Sequence, residues 1–215
     1  MYKLAIFDLD GTLLDTLGDL HSSVNFALRE YGFPERTRSE VCSFIGNGVV
    51  KLMERSTPEG TDESTNRVCL EVFRAHYLEH MADTTAPFEG VIQLLERLKA
   101  DGVKIAVVSN KLHSAVEKLC EDYFPGLIER AIGVTAESER KPSPVNVIKA
   151  MEIFGAEKDD TVYIGDSEVD VQTSLNADVR CIGVSWGFRS SEQLTDAGCT
   201  TVCDTASEVY AKIMD

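Results

Sequence analysis

Short apolar runs that stop at a polar residue, each followed by a stretch of helical periodicity, recur along this chain. Lys3–Phe7 (KLAIF) stops at Asp8, Val103–Val108 (VKIAVV) at Ser109-Asn110-Lys111, and Thr161–Ile164 (TVYI) at Gly165-Asp166. Ala131–Val134, Cys181–Val184 and Thr200–Cys203 are further candidates. Between them, Val91, Leu94, Leu95 and Leu98 share one helical face, with Gly102 as a stop. Val116, Leu119 and Cys120 follow the same spacing before Pro125-Gly126, and Val145, Ile148 and Met151 do so before Gly155. Strands alternating with helices imply βαβ units and a parallel sheet with helices on both faces. The expected fold is α/β: a doubly wound, Rossmann-like parallel sheet, its crossovers right-handed because strands twist that way.

One segment breaks the alternation. Leu17, Leu20, Val24, Ala27, Leu28 and Tyr31 mark a helix closed by Gly32 and Pro34, and Val68, Cys69, Val72, Phe73, His76 and Tyr77 mark a longer one. No strand pattern is present between about Leu17 and Asp83. The expected organisation is therefore a core of residues 1–16 and 84–215 carrying an all-helical cap domain inserted at 17–83. Its two strand-free connections suit a lid that moves.

Charge narrows the partners. The 21 Lys and Arg against 36 Asp and Glu leave a net charge of −15 with no basic run, so nucleic acid and anionic lipid are not expected partners. No apolar stretch reaches the ~20 residues of a membrane span, and Asp8 interrupts the N-terminal apolar run too early for a signal peptide. The six cysteines include no CxxC spacing and read as reduced residues of a cytoplasmic protein. The chain is expected to be a monomer or a homodimer.

In an open α/β sheet, ligands bind outside the carboxyl ends of the strands. Those ends carry Asp8, Asp10, Gly11 and Thr12; Ser109, Asn110 and Lys111; and Asp166, Ser167 and Asp170, with Lys141-Pro142 in a loop before a helix. Asp8 and Asp10, two residues apart in extended chain, face the same way, and their repulsion raises one pKa unless a cation is shared. A raised carboxyl suits a general acid; the other suits Mg²⁺ ligation and nucleophilic attack. Mg²⁺ and a lysine ammonium would offset the repulsion between a carboxylate and a phosphate dianion. Gly11 allows close approach of backbone amides, and Ser109 and Asn110 donate to the same oxygens. Each element alone has an ordinary reading: a solvated turn for DxD, a helix start with Pro at its first position for Lys-Pro, an N-cap with first-turn acids for GDxxxD. Their placement on strand ends and βα loops of one sheet favours a magnesium-assisted phosphate site.

Asp8-Leu9-Asp10-Gly11-Thr12-Leu13, Val107-Val108-Ser109-Asn110-Lys111, Lys141-Pro142 and Gly165-Asp166-Ser167-Glu168-Val169-Asp170 resemble, in order, the four motifs of the haloacid dehalogenase-like superfamily in its phosphatase form. The resemblance runs from residue 3 to about 189. It implies that Asp8 is the nucleophile and Asp10 the acid and base, with the Asp10 carbonyl on Mg²⁺. It implies that Ser109, helped by Asn110, binds the phosphoryl group, that Lys141 neutralises charge between Asp8 and phosphate, that Asp166 ligates Mg²⁺ and that Asp170 supports the metal from further out. The helical insert looks like the cap of one subgroup.

Ser109-Asn110-Lys111, Gly46-Asn47-Gly48, Ala86-Pro87-Phe88-Glu89-Gly90 and Gly183-Val184-Ser185-Trp186-Gly187 are most similar to phosphoglycolate phosphatases, although neighbouring subgroups share several of these features. Asn176-Ala177-Asp178 departs from the Ala-Gly that the family tends to carry there. In the cap, Gly46, Asn47, Lys51 and Arg55 are candidate substrate contacts, with a solvated helix face as the plain alternative for Lys51 and Arg55. The expected activity is hydrolysis of a small-molecule phosphate ester, 2-phosphoglycolate first. A β-phosphoglucomutase-type phosphosugar mutase and a pyrophosphatase share the motifs. A phospho-acceptor signalling module shares the carboxylates and lysine but lacks the cap and an acid two residues after the acceptor. His76 and His80 have metal-binding spacing but no third ligand, so packing is the expected role. Trp186 reads as a packed loop aromatic, with walling the pocket as the alternative because it follows a strand end, and Arg189 is a candidate to steer anions.

Overall fold

The structure, a computed structural model, describes residues 1–215. In chain order it runs β1 (Leu4–Phe7), β2 (Leu14–Asp15), α1 (Leu17–Glu30), α2 (Arg38–Phe44), α3 (Gly48–Ser56), α4 (Glu63–His80) and β3 (Ala86–Pro87). It continues with α5 (Val91–Ala100), β4 (Lys104–Leu112), α6 (His113–Tyr123), β5 (Arg130–Val134), α7 (Val145–Phe154) and β6 (Thr161–Gly165). The last elements are α8 (Glu168–Ala177), β7 (Arg180–Val184), α9 (Ser191–Asp196), β8 (Val202–Cys203) and α10 (Ala206–Met214). Residues 1–14 and 87–215 form one compact unit and residues 15–86 another. Where the chain passes between them, β2 and β3 pair as a short ladder.

The first unit is a six-stranded sheet in the order β5-β4-β1-β6-β7-β8, every pairing parallel. Leu4, Ala5, Ile6 and Phe7 are all buried, which is what an all-apolar strand requires when helices cover both faces. Leu4, Ile6, Ala106, Val108 and Tyr163 form one face with Val147, Ala150 and Met151 of α7. The chain leaves β1 for β4 on one side and later returns to β6 on the other. This reversal opens a crevice at the carboxyl end of β1.

Three details differ from the sequence pattern. The run expected to end at Val108 continues as strand through Leu112, so Ser109, Asn110 and Lys111 lie within β4, where its ladder to β5 shifts register. The α7 helix starts at Val145 rather than at Pro142. Its buried face is Val147, Ala150 and Met151, while Val145 and Ile148 are 46% and 41% exposed. The i, i+3, i+4 set nearer the sheet wins over the stripe anticipated at 145, 148 and 151. The sixth strand is shorter than expected, Val202–Cys203 only, and lies at the sheet edge.

The second unit is helical. Leu20, Val24, Ala27 and Leu28 line the buried face of α1, and Cys69, Leu70, Phe73 and Tyr77 that of α4, and the two helices pack together. Thr37 and Glu40 cap α2 reciprocally. The carboxylate of Asp19, 2% exposed, accepts from the backbone N–H and hydroxyl of both Thr84 and Thr85, tying the end of the unit to its first helix. His76 stacks on His80 at 4.2 Å, and each ring nitrogen that bonds has a partner, Ser23 for His76 and Asp83 for His80. No helix is long and apolar enough to cross a membrane. All six cysteines are free.

Candidate active site

β4, β1 and β6 are adjacent, so the residues at their carboxyl ends converge. Asp8 follows β1, with its N–H bonded to the Ile164 carbonyl of β6 at 2.8 Å. Asp166 follows β6, and Asp170 sits one turn into α8. One carboxylate oxygen each from Asp8, Asp166 and Asp170 lies within 4.8 Å of the others, and all three residues are buried. The Lys141 ammonium stands among them, 2.8 Å from Asp8 Oδ1 and 2.6 Å from Asp170 Oδ1.

Burial dominates the electrostatics. It pushes the Asp8 carboxyl up to about 7; Lys141 opposes the rise and Asp170 adds to it. Asp166 is raised well above the usual carboxylate range, by burial first and then by Asp170 and Asp8. Burial alone would depress the Lys141 ammonium, but Asp170 and Asp8 outweigh it and hold it above the ordinary lysine value. The carboxyl anticipated to rise by repulsion between Asp8 and Asp10 is thus Asp8, and desolvation rather than Asp10 leads the shift. Three carboxylates facing one ammonium leave negative charge in excess. Asp8 Oδ1 is buried with no aligned hydrogen-bond donor. A buried carboxylate oxygen whose one ammonium is shared with Asp170, within a set of hard oxygen donors, fits a divalent cation of the magnesium type.

Asp170 is the most committed of the three. Its Oδ1 accepts from Lys141 Nζ and from the Tyr163 hydroxyl at 2.9 Å, and its Oδ2 from the Ser167 N–H at 3.1 Å and hydroxyl at 2.6 Å. Ser167 in turn caps α8, so the ordinary N-cap reading of GDxxxD and the site are one construction. Burial and Asp170 raise the Tyr163 phenol, which keeps it a donor. Asp166 accepts from the Thr12 hydroxyl at 3.1 Å and from the Phe188 N–H at 2.7 Å. A Cβ at Gly11 or at Gly187 would collide with Asp166, so the chain can pack against this carboxylate only with glycine at both positions.

The Asp10 carboxylate lies outside the trio. Its Oδ1 is 2.8 Å from the Lys111 ammonium, and the two side chains are 17% and 7% exposed. Asp8 and Asp10 therefore serve different lysines. Ser109 is buried, and its hydroxyl accepts from the Lys111 N–H at 3.3 Å. The side-chain amide of Asn110 turns to the backbone of Lys141, accepting from its N–H at 2.7 Å and donating to its carbonyl at 3.3 Å, and so holds the loop that carries the lysine. The Trp186 indole donates to the Thr12 carbonyl at 3.0 Å, and Arg189 pairs with Glu168 at 2.9 Å. Gly46, Asn47, Lys51 and Arg55 belong to the helical unit. Arg55 donates to the Phe44 carbonyl and to Asn47 Oδ1 at 2.9 and 2.7 Å, while Lys51 pairs with Glu54 at 2.6 Å.

Lys111 is legible in the sequence as part of the second motif at a strand end, but its pairing with Asp10 is not, and Tyr163 stands inside an apolar run that reads as core.

The family model for haloacid dehalogenase-like hydrolases matches residues 5–184. The chain is 34% identical over 196 residues to a phosphoglycolate phosphatase of Aquifex aeolicus, covering 90% of both chains. It is 30% identical over 213 residues to phosphoglycolate phosphatase 1 of Pseudomonas aeruginosa, covering 96% of this chain and 78% of that one. Its fold superposes with a TM-score of 0.94 on a crystal structure from Lactobacillus delbrueckii subsp. bulgaricus described as a candidate phosphoglycolate phosphatase, at 37% identity and covering 99% and 98% of the two chains.

Proposed function

The chain belongs to the haloacid dehalogenase-like hydrolases and is a phosphatase of that family, a phosphoric monoester hydrolase acting on a small-molecule phosphate ester; from that premise we propose that it hydrolyses 2-phosphoglycolate with Mg²⁺, through an aspartyl-phosphate on Asp8. The observation that carries the proposal is the buried Asp8–Asp166–Asp170 trio with one ammonium, Lys141, between Asp8 and Asp170. The relatives' names supply the favoured substrate.

Asp8 and Asp166 would hold Mg²⁺, with the Asp10 carbonyl as the third protein ligand that the family resemblance implies. The cation supplies charge neutralisation between nucleophile and phosphate. Asp8 attacks phosphorus with a carboxylate oxygen. Lys141, anchored by Asp170 and Tyr163, places its charge against the Asp8 carboxylate and the phosphoryl oxygens that approach it. Ser109 offers its hydroxyl to a phosphoryl oxygen, and Asn110 contributes by holding Lys141 through its main chain. Asp10 gives its proton to the leaving oxygen and then takes one from the water that releases phosphate from Asp8.

The test is phosphate release with Mg²⁺ across 2-phosphoglycolate, hexose and triose phosphates, nucleotides and pyrophosphate. A dominant 2-phosphoglycolate signal that chelator removes is expected. Dominance of pyrophosphate, or a hexose phosphate converted without phosphate release, refutes the assignment.

A further inference from the structure

Resting on that reading, we infer that Lys111 is a specificity-determining residue whose ammonium receives a carboxylate carried by the substrate's leaving group. The unit holds two buried lysines, and they are spent differently. Lys141 bridges Asp8 and Asp170, at the phosphoryl end of the reaction. Lys111 lies 2.8 Å from Asp10 Oδ1. Asp10 serves the leaving oxygen, so Lys111 marks where the leaving group's own atoms sit. The backbone accounts for its direction. Ser109 and Lys111 are two residues apart in β4 and both buried, on the face that meets the site, while the intervening Asn110 turns to the backbone of Lys141.

A buried ammonium needs an anionic partner. When the Asp10 carboxyl turns to the ester oxygen, an anion carried by the substrate can take its place beside the Lys111 ammonium. In 2-phosphoglycolate the carboxylate carbon is two bonds from the ester oxygen. That is within reach of an ammonium already touching the carboxyl that serves this oxygen. Elsewhere the site repels a carboxylate, because Asp8, Asp10, Asp166 and Asp170 surround it and the chain carries a net charge of −15. Lys111 therefore turns an acidic site into one that selects an acidic leaving group, and disfavours a neutral one of the same size.

The experiment compares 2-phosphoglycolate with 2-hydroxyethyl phosphate, in which a hydroxymethyl group replaces the carboxylate. Wild type, Lys111→Met and Lys111→Arg are each assayed with Mg²⁺ for both esters. The wild type prefers 2-phosphoglycolate. Lys111→Met slows both esters, since Asp10 loses its partner, and in addition lowers the ratio of the two kcat/KM values by about 30-fold or more, mainly through the KM for 2-phosphoglycolate. Lys111→Arg keeps most of the preference. The ratio does not depend on what fraction of a variant folds. Equal slowing of both esters by Lys111→Met, or a wild type that hydrolyses both alike, overturns the inference and leaves the phosphatase standing. A wild type that releases phosphate from no ester overturns the functional reading and this inference with it.

Discussion

Replacing Asp170 by Asn separates two roles that the trio could assign to it. Asp170 is fully buried and faces four donors: Lys141 Nζ, the Tyr163 hydroxyl, and the Ser167 N–H and hydroxyl. An amide brings one acceptor oxygen and one NH₂ group. The oxygen must face the Lys141 ammonium, so the NH₂ faces Ser167. The Ser167 hydroxyl rotates to accept, but its backbone N–H cannot. One buried donor is then unpaired, costing about 1–3 kcal/mol. Lys141 also loses one of its two carboxylates, and breaking a buried pair costs about 3–5 kcal/mol. Neighbouring effects of this kind do not sum, so the expected loss is about 4 kcal/mol. At about 2–4 °C per kcal/mol for a chain of this size, Tm falls by about 10 °C. With Lys141 no longer held against Asp8, kcat falls by about 10²–10³-fold, as when one preorganised electrostatic group is lost. The assay is phosphate release from 2-phosphoglycolate over a wide Mg²⁺ titration, beside thermal unfolding. If Asp170 anchors the lysine, saturating Mg²⁺ leaves kcat low. Full recovery of kcat at high Mg²⁺, or an unchanged Tm, refutes the reasoning and makes Asp170 a metal ligand first.

Three more outcomes are expected. Asn110→Ala removes both bonds to the Lys141 backbone and leaves that N–H unpaired, so kcat falls about tenfold or more while the Mg²⁺ concentration for half-activity stays put; kinetics at several Mg²⁺ levels check this. Asp19→Ala strips the amides and hydroxyls of Thr84 and Thr85 of their acceptor, costing about 2–4 kcal/mol, read as a lower midpoint in urea unfolding. In metal-free protein the Asp8 carboxyl titrates at about 7 against 3.8 for the ordinary group, and Asp166 shifts in the same direction. A raised carboxyl stabilises the fold fully below the ordinary value and loses that contribution as pH rises through the folded one. Tm of metal-free protein therefore declines between about pH 4 and 7, and Mg²⁺ flattens the decline; a metal-free Tm that rises across this window contradicts the charge account.

The strand ends were readable because apolar runs buried on both faces must stop where the sheet stops, and the residues that follow must meet at that rim. Asp8, Ser109 and Asp166 converge for this reason. Pairings across the fold were not readable. Asp10 and Lys111 are 101 residues apart, and only the parallel register of β1 with β4 sets one ammonium beside one carboxylate. Asn110 is readable as a phosphate donor from its amide and its motif, but its hold on the Lys141 backbone is not readable. That contact joins residues 31 apart in the chain, and only the folded loop brings them together. The face of α7 was misphased for a related reason: with apolar residues at Val145, Val147, Ile148 and Met151, periodicity admits two stripes, and contact with the sheet decides between them. Tyr163 illustrates the limit of composition. Its ring is core, and its hydroxyl reaches Asp170 through the same packing.

The central claim is that Asp8 carries the phosphoryl group during turnover. The direct measurement is an acid quench of enzyme, Mg²⁺ and 2-phosphoglycolate during the first turnovers, followed by borohydride reduction and peptide mass mapping. The account predicts conversion of residue 8 to homoserine, dependent on substrate and absent in Asp8→Asn. Phosphate release at normal rate with residue 8 unmodified under conditions that trap a control acyl-phosphate, or modification at another carboxylate, contradicts it.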